Sequence, residues 1–224
     1  MPSVTVENYL KHLLSLPAGA GGLVAMGDLA RALAVVPGTA TTMVKALAAD
    51  GLVVHAPRRG VRLTPAGRRL ALSVLRKHRL VETFLVHVLK MDWGDVHAEA
   101  EQLEHALSAT VLDRLDALLG HPTVDPHGDP IPSRQGGLRT QDYATLATCG
   151  LNRPMRVVRV TEQTAEFLAF AEQHGLLPGA TVRIAGRDLT AGLVRLQCRR
   201  RRPLALSLTA AGRILVAPAR GAGG

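Results

Sequence analysis

Residues 37–63, PGTATTMVKALAADGLVVHAPRRGVRL, decide the fold of the N-terminal region. Apolar residues recur at helical spacing over about 39–49, and Gly51 follows as a C-terminal cap. Two short strand-like runs then flank the turn at residues 57–60. Another helix, predicted over 26–35, precedes the Pro-Gly break, so the stretch predicts a helix-turn-helix motif followed by a two-stranded wing.

Such a motif predicts contacts with DNA. The second helix of a helix-turn-helix motif lies in the major groove with its N-terminal residues near the bases. The wing arginines would contact phosphate, so the candidate DNA-binding residues are Gly38, Thr39, Thr41, Thr42, Lys45, Arg58 and Arg59. The alternative is a structural role in which the threonines cap a helix and the arginines solvate a hairpin.

The composition bounds the class of protein. The chain has 224 residues, of which 47% are apolar and 20% charged, which excludes disordered and collagen-like classes. Cys149 and Cys198 are too few for a disulfide framework and favour a reducing interior. With neither a leader pattern nor a membrane-length apolar run, the chain is expected to be a soluble cytoplasmic protein without a membrane partner.

The formal net charge of +9 is unevenly distributed along the chain. Residues 1–80 carry 11 basic and 3 acidic side chains, residues 81–149 carry 4 and 11, and residues 150–224 carry 12 and 4. The acidic middle segment also holds five of the nine histidines. This partition predicts one segment for phosphates and another for cations.

The middle segment carries the residues of a metal site. A long amphipathic helix, predicted from residue 65 to about 89, has His78 and Glu82 on one face. The next predicted helix would align four more candidate ligands on a single stripe, namely His97, Glu101, Glu104 and His105. Imidazole with a large carboxylate share favours Mn(II) or Fe(II) over zinc or copper. The alternative is an exposed face on which charged residues happen to recur.

Several motifs together resemble the diphtheria toxin repressor family. They are Arg76-Lys77-His78-Arg79-Leu80, Glu82, the run from Asp95-Val96-His97 through Glu101-x-x-Glu104-His105 to Ser108, and the proline-rich segment Asp125-Pro126-His127-Gly128-Asp129-Pro130-Ile131-Pro132. The stretch from Gly175 to Val182 is similar to the SH3-like C-terminal domain of that family. The resemblance implies a metal-activated homodimeric repressor of metal-uptake genes that binds a palindromic operator.

The resemblance also implies two metal sites. Matching positions assign Glu101, Glu104 and His105 to the primary site, with Asn8 at the position of the ligand from the first helix. Glutamate at position 101 is typical of manganese-type members, where iron-type members have cysteine. Lys11 stands where two-domain manganese regulators have a glutamate, which argues against their paired-metal site.

The ancillary site of three-domain members matches positions on three parts of the chain. These positions are His78, Glu82, His97, Gln163 and Glu166, with Glu162 as a substitute if the register differs by one. In two-domain members the residue that matches His78 joins a paired-metal site instead. Metal at both sites would join the first helix and the third domain to the 97–105 helix and so fix the spacing of the recognition helices.

The expected fold class is mainly α with a C-terminal β domain: a winged helix-turn-helix, a helical dimerisation domain and a small SH3-like barrel. The expected domains are 1–73, 74–142 and 153–220. The run Arg199-Arg200-Arg201-Arg202 favours a solvated hairpin, with contact to DNA or an acidic neighbour as the alternative.

Two other functions remain open from the residues alone. One is a winged-helix regulator that senses an organic ligand. The other is a metal-dependent hydrolase, although Glu-x-x-Glu-His does not match His-Glu-x-x-His and no nucleophile arrangement is evident. The interpretation we favour is a non-enzymatic repressor whose cofactor is Mn(II), with Fe(II) as the alternative.

Overall fold

The computed structural model describes residues 2–198 and 203–219, so the arginine run 199–202 lies outside the described residues. The helices are α1 (Val4–Ser15), α2 (Met26–Ala32), α3 (Pro37–Ala49), α4 (Pro65–His87), α5 (Val96–Leu103), α6 (Ala109–Leu118), α7 (Ala165–Gln173) and α8 (Leu208–Gly212). The strands are β1 (Val53–Ala56), β2 (Gly60–Leu63), β3 (Ala144–Thr145), β4 (Pro154–Val160), β5 (Thr181–Asp188), β6 (Leu193–Cys198), β7 (Leu204–Ser207) and β8 (Ile214–Pro218).

The chain folds as two compact units. The first comprises Met1–His78, Leu103–Ser108 and Pro132–Leu138, and the second comprises Arg79–Gln102, Ala109–Ile131 and Arg139–Gly224. Each unit has its own apolar core. Among the described residues no single helix is long and apolar enough to cross a membrane, and only the sharply bent pair α2 and α3 meets a criterion of length and composition.

The first unit contains the winged helix-turn-helix that the sequence predicts. Leu10, Leu29, Val44, Leu47 and Val61 are completely or almost completely buried in its core. They come from α1, α2, α3 and the wing, and each helix contributes its periodic apolar face. The prediction of fold class is therefore confirmed in this region.

The wing is a tight antiparallel hairpin in which β1 pairs with β2. Val24 forms an additional antiparallel bridge to Val61 on the second strand. Gly60 has φ +133° where a Cβ atom would overlap the carbonyl oxygen of Val24, so only glycine fits there. The close approach fixes the wing against the segment that precedes α2.

The long helix α4 begins with a conventional cap. The Thr64 hydroxyl accepts a hydrogen bond from the Gly67 amide at 3.1 Å, and Pro65 occupies the first helical position. The same hydroxyl donates to the Gly51 carbonyl at 2.7 Å. Two hydrogen bonds of the Thr64 hydroxyl thus join the end of α3 to the start of α4.

One predicted helix is shorter than expected. The sequence predicts a single helical stripe from 97 to 105, but α5 ends at Leu103, and a turn follows in which the Ala106 amide donates to the Leu103 carbonyl. Glu104 and His105 therefore lie beyond the helix, and the expectation of one continuous four-residue stripe is wrong. The physical reason is tertiary: the Glu104 carboxylate is engaged by side chains distant in sequence.

The second unit is built around a six-stranded antiparallel sheet in the order β3-β8-β4-β5-β6-β7. Alternating residues such as Val157, Ile184, Leu196 and Ile214 are completely buried. Helix α7 packs its buried Leu168 against this core. The short helix α8, which the periodicity did not predict, is capped by Ser207 Oγ.

Candidate metal centre and nucleic-acid interface

The candidate DNA-binding surface is the start of α3. Gly38, Thr39, Thr42 and Lys45 are exposed, and Thr41 is half-buried. The hydroxyls of Thr41 and Thr42 donate to the backbone carbonyls four residues earlier, at 2.8 and 3.1 Å. Their oxygen lone pairs and methyl groups remain available for contacts, which suits readout of bases in a major groove.

The wing presents the two predicted arginines. Arg58 and Arg59 are exposed at the tip between β1 and β2, and Arg58 adopts φ +64°. The Arg59 amide donates to the Ala56 carbonyl and closes the turn. Guanidinium groups on such a tip are suited to phosphate oxygens.

A first group of candidate ligands lies wholly within the first unit. We call it the lysine-paired cluster: Glu7, Lys11, His78, Glu104 and His105. Glu104 is completely buried, and its Oε1 accepts a hydrogen bond from Lys11 Nζ at 2.7 Å. His78 Nδ1 lies 2.6 Å from Glu104 Oε2. Both carboxylate oxygens of Glu104 therefore already have a nitrogen partner.

The other carboxylate of this cluster is similarly engaged. Glu7 Oε2 lies 2.6 Å from His105 Nδ1, and Glu7 Oε1 lies 3.7 Å from Lys77 Nζ. Two nearby polar atoms are buried without a hydrogen-bond partner, namely His105 Nε2 and Asn8 Oδ1. Both atoms can coordinate a cation, so the donor set fits a hard divalent metal ion.

A second group lies wholly within the second unit. We call it the carboxylate cluster: Glu82, Asp125 and His127, whose candidate ligand atoms all lie within 4.8 Å of one another. All three side chains are buried. His127 Nε2 lies 3.0 Å from the Trp93 carbonyl oxygen, which can only accept, so this nitrogen carries the proton. In the neutral ring, Nδ1 is then the unprotonated nitrogen, and it is buried without a hydrogen-bond partner. This tautomer is the one a metal ligand requires.

The electrostatics of the carboxylate cluster favour a cation. Burial raises the pKa of Asp125 well above its usual value of 3.8, and the nearby carboxylates of Asp129 and Glu82 raise it further. The Arg79 guanidinium, 3.5 Å from Asp125, opposes this shift without cancelling it. A divalent ion at this cluster would relieve the repulsion between the carboxylates.

The remaining ancillary positions are arranged differently from one another. The His97 side chain is half exposed. Its Nδ1 lies 3.2 Å from Glu82 Oε1, and its Nε2 lies 3.7 Å from Glu101 Oε1. Gln163 Nε2 donates to Asp129 Oδ2 at 2.8 Å. Glu166 is exposed in the first turn of α7, and Glu162 pairs with Arg213. Among the described residues, the ligand-type clusters do not include Glu162 or Glu166.

Sequence reasoning missed three candidate ligands. Glu7 directly precedes Asn8, and the pattern of α1 gave no reason to prefer one over the other. Asp125 and His127 lie in the proline-rich motif, from which we predicted no ligand. Their alternation, Asp125-x-His127, would place both side chains on one side of an extended loop, and that spacing could have indicated ligands.

Three family models match successive parts of the chain. Residues 1–61 match the model described as iron dependent repressor, N-terminal DNA binding domain. Residues 64–133 match iron dependent repressor, metal binding and dimerisation domain, and residues 144–218 match the FeoA domain. Together the three matches span nearly the whole chain.

Individual relatives are similar over most of the chain. The iron-dependent repressor IdeR of Mycobacterium tuberculosis is 40% identical over 158 residues, which cover 65% of this chain and 69% of IdeR. The diphtheria toxin repressor of Corynebacterium diphtheriae is 34% identical over 161 residues, which cover 67% and 71%. A solved structure described as a manganese-dependent transcriptional repressor in complex with manganese is similar with a TM-score of 0.85 at 35% identity, over 96% of this chain and 100% of that one.

Proposed function

The chain belongs to the iron-dependent repressor family that includes the diphtheria toxin repressor, whose members are metal-dependent DNA-binding repressors and not enzymes, and we propose that it is a homodimeric repressor activated by Mn(II). It would bind a palindromic operator in the cytoplasm and control genes of metal-ion uptake and homeostasis. The observation that carries this proposal is the presence of a buried carboxylate and imidazole cluster in each unit of a chain whose first unit is a winged helix.

The donor chemistry supports Mn(II) in preference to softer metals. The candidate ligand atoms of both clusters are carboxylate oxygens and imidazole nitrogens, to which Asn8 adds an amide oxygen, and these suit harder first-row ions. Cys149 is buried in the apolar core of the second unit and is not part of either cluster. Iron-dependent relatives make Fe(II) the alternative effector.

The ligand sets follow from the contacts. In the lysine-paired cluster we propose Glu104, His105 and His78 as ligands with Glu7, and Asn8 and Glu101 as candidates from the sequence. In the carboxylate cluster we propose Glu82, Asp125 and His127, with His97 beside Glu82. Bound metal would supply the positive charge that these carboxylates need in order to lie together. Gln163 and Glu166 remain candidates from the family resemblance alone.

The described elements support three domains, with the proposed bounds 1–73 for DNA binding, 74–142 for metal binding and dimerisation, and 153–220 for the SH3-like domain. Gly38, Thr39, Thr41, Thr42 and Lys45 would read the major groove, and Arg58 and Arg59 would contact phosphate. A two-fold symmetric operator requires two recognition helices at a fixed spacing, and this requirement supports a homodimer.

The direct test is an electrophoretic mobility shift on operator DNA with Mn(II) and with a chelator. We expect Mn(II) to tighten binding about tenfold or more. Glu104→Gln and His105→Gln should lose this response, whereas Glu99→Gln, which alters an exposed carboxylate on α5, should keep it. Equal affinity in chelator would contradict metal activation. Anaerobic titration with Fe(II) beside Mn(II) discriminates the effector, and sedimentation measures the dimer.

A further inference from the structure

The loop that carries Asp125 and His127 is held by the C-terminal sheet domain. The Val160 amide of β4 donates to the His127 carbonyl at 2.9 Å. Gly128 follows with φ +88°, and a Cβ atom there would overlap the carbonyl oxygen of Val158. The loop thus lies directly against the backbone of β4, at a distance that only glycine allows.

Asp129 is the polar anchor of this loop. Its buried carboxylate forms an ion pair with Arg159 of β4 and accepts a hydrogen bond from Gln163 Nε2 at 2.8 Å. Arg79 of α4 approaches the same carboxylate at 3.3 Å. One side chain therefore receives donors both from the sheet domain and from the helix that carries Glu82.

Asp129 and Asp125 cannot move independently. The Asp129 amide donates to Asp125 Oδ1 at 2.9 Å, and the same oxygen accepts the His127 amide at 2.9 Å. The Asp125 amide in turn donates to the Asp129 carbonyl. These bonds close a compact turn that ties the position of Asp129 to the positions of the Asp125 carboxylate and the His127 backbone. On the far side, His127 stacks on Trp93 with ring centroids 5.3 Å apart.

We propose that Arg159 and Gln163 are positioning residues: the C-terminal domain shapes the carboxylate cluster by holding the loop at Asp129, and Gln163 acts as a donor to Asp129 and not as a metal ligand. The inference rests on the proposed function, because it requires a metal ion at Glu82, Asp125 and His127. It assigns the sheet domain a role in metal affinity that does not depend on supplying a ligand atom.

A glutamate at position 163 separates the two roles of that residue. As a ligand, Gln163→Glu would keep or tighten metal binding, because a carboxylate is a better ligand for Mn(II) than an amide. As a donor to Asp129, it would place two carboxylates against each other and displace the loop. We expect Mn(II) affinity at the carboxylate cluster to fall about tenfold, within the range for residues that orient metal ligands. Gln197→Glu, at an exposed glutamine of β6, is the matched control and should not change it.

Arg159 provides a second, independent variant. Arg159→Met should weaken Mn(II) binding at the same cluster, and Arg159→Lys, which keeps the charge, should restore at least part of the loss. The measurement is the electron paramagnetic resonance signal of free Mn(II) during titration of the full chain, together with thermal unfolding of each variant in chelator. If the variants that bind Mn(II) more weakly also unfold at a clearly lower temperature in chelator, the loss of affinity reflects a general structural defect. That result would overturn the positioning role.

Glu82→Gln separates this inference from the proposed function. If Glu82→Gln binds as many Mn(II) ions as the unaltered protein with equal affinity, the carboxylate cluster is not a metal site and the proposed ligand set fails. If Glu82→Gln loses one ion but Gln163→Glu and Arg159→Met bind it normally, the metal site is retained and the positioning role is wrong.

Discussion

The lysine-paired cluster and the carboxylate cluster use similar residue types in opposite electrostatic settings. In the first, the buried Glu104 carboxylate already has the Lys11 ammonium at 2.7 Å. In the second, Asp125 lies near two further carboxylates, which add to the effect of burial in raising its pKa. A metal ion entering the first cluster competes with a resident cation, whereas one entering the second relieves repulsion. Similar residue types therefore predict different metal affinities for the two clusters and different losses of stability when a carboxylate is removed.

The largest effect is expected for Glu104→Gln in the metal-free protein. The substitution leaves the almost completely buried Lys11 ammonium without its carboxylate, and breaking a buried pair in this way costs about 3–5 kcal/mol of unfolding free energy. Urea unfolding in chelator measures it. Lys77→Met alters a more exposed pair at 3.7 Å and should cost less than about 1 kcal/mol. Equal losses for the two variants would show that the buried Lys11–Glu104 pair is no more costly to break than the more exposed Lys77–Glu7 pair.

A smaller effect is expected for Lys11→Met, which should increase metal affinity. Removal of the competing ammonium takes away the hydrogen bond that Lys11 donates to Glu104 Oε1, so Mn(II) should bind the lysine-paired cluster about tenfold more tightly, which corresponds to about 1.4 kcal/mol. Titration of free Mn(II) by electron paramagnetic resonance measures the change. The carboxylate cluster is the internal control, because its affinity should not change. Unaltered or weaker binding by Lys11→Met would argue that the ammonium is not a competitor.

The smallest effect is a pH dependence specific to the carboxylate cluster. Because the pKa of Asp125 is raised in the folded protein, the metal-free fold binds a proton more readily than the unfolded chain does. Protonation of Asp125 therefore stabilises the fold. This contribution is fully present below the usual pKa of 3.8 and is lost as pH rises through the raised pKa of the folded protein. Mn(II) competes with that proton, so the rise in unfolding temperature caused by Mn(II) should shrink as pH falls.

Asp125→Asn isolates this contribution. The amide keeps the side-chain oxygen that accepts the His127 and Asp129 amides but removes the charge. At neutral pH and without metal, the variant should be more stable than the unaltered protein, and the difference should disappear at acidic pH. Thermal unfolding in chelator across pH measures it. A variant that is less stable at neutral pH would contradict the sign of the shift.

The N-terminal region shows how much could be predicted from local sequence. The helices α2 and α3 and both wing strands lie within a few residues of their predicted positions, because each depends on a short periodic pattern and on adjacent turn residues. The end of α5 was not predictable in this way, since Leu103, Glu104 and His105 continue the same pattern. Just beyond that end, Glu104 contacts residues far away in the sequence, and the local pattern does not indicate these contacts.

The candidate site divides in the same manner. His78, Glu82, Glu104 and His105 were predicted as ligands because helical spacing and the family motif coincide on them. Glu7 and His127 were not, because the partners that they meet in space lie far away in the sequence. Gln163 matches a ligand position in the family, yet its amide donates to an aspartate that lies 34 residues earlier.

The sequence by itself determined the winged helix, the acidic and histidine-rich middle segment and the family, since these depend on local periodicity, composition and motif spacing. Only the tertiary structure decided which charges neutralise one another. Lys11 meets Glu104 across 93 positions of the chain, and the proline-rich loop, from which no ligand was predicted, carries the buried side chains of Asp125 and His127. The physical reason is that desolvation and Coulomb interactions depend on distance in space, which the order of residues does not specify.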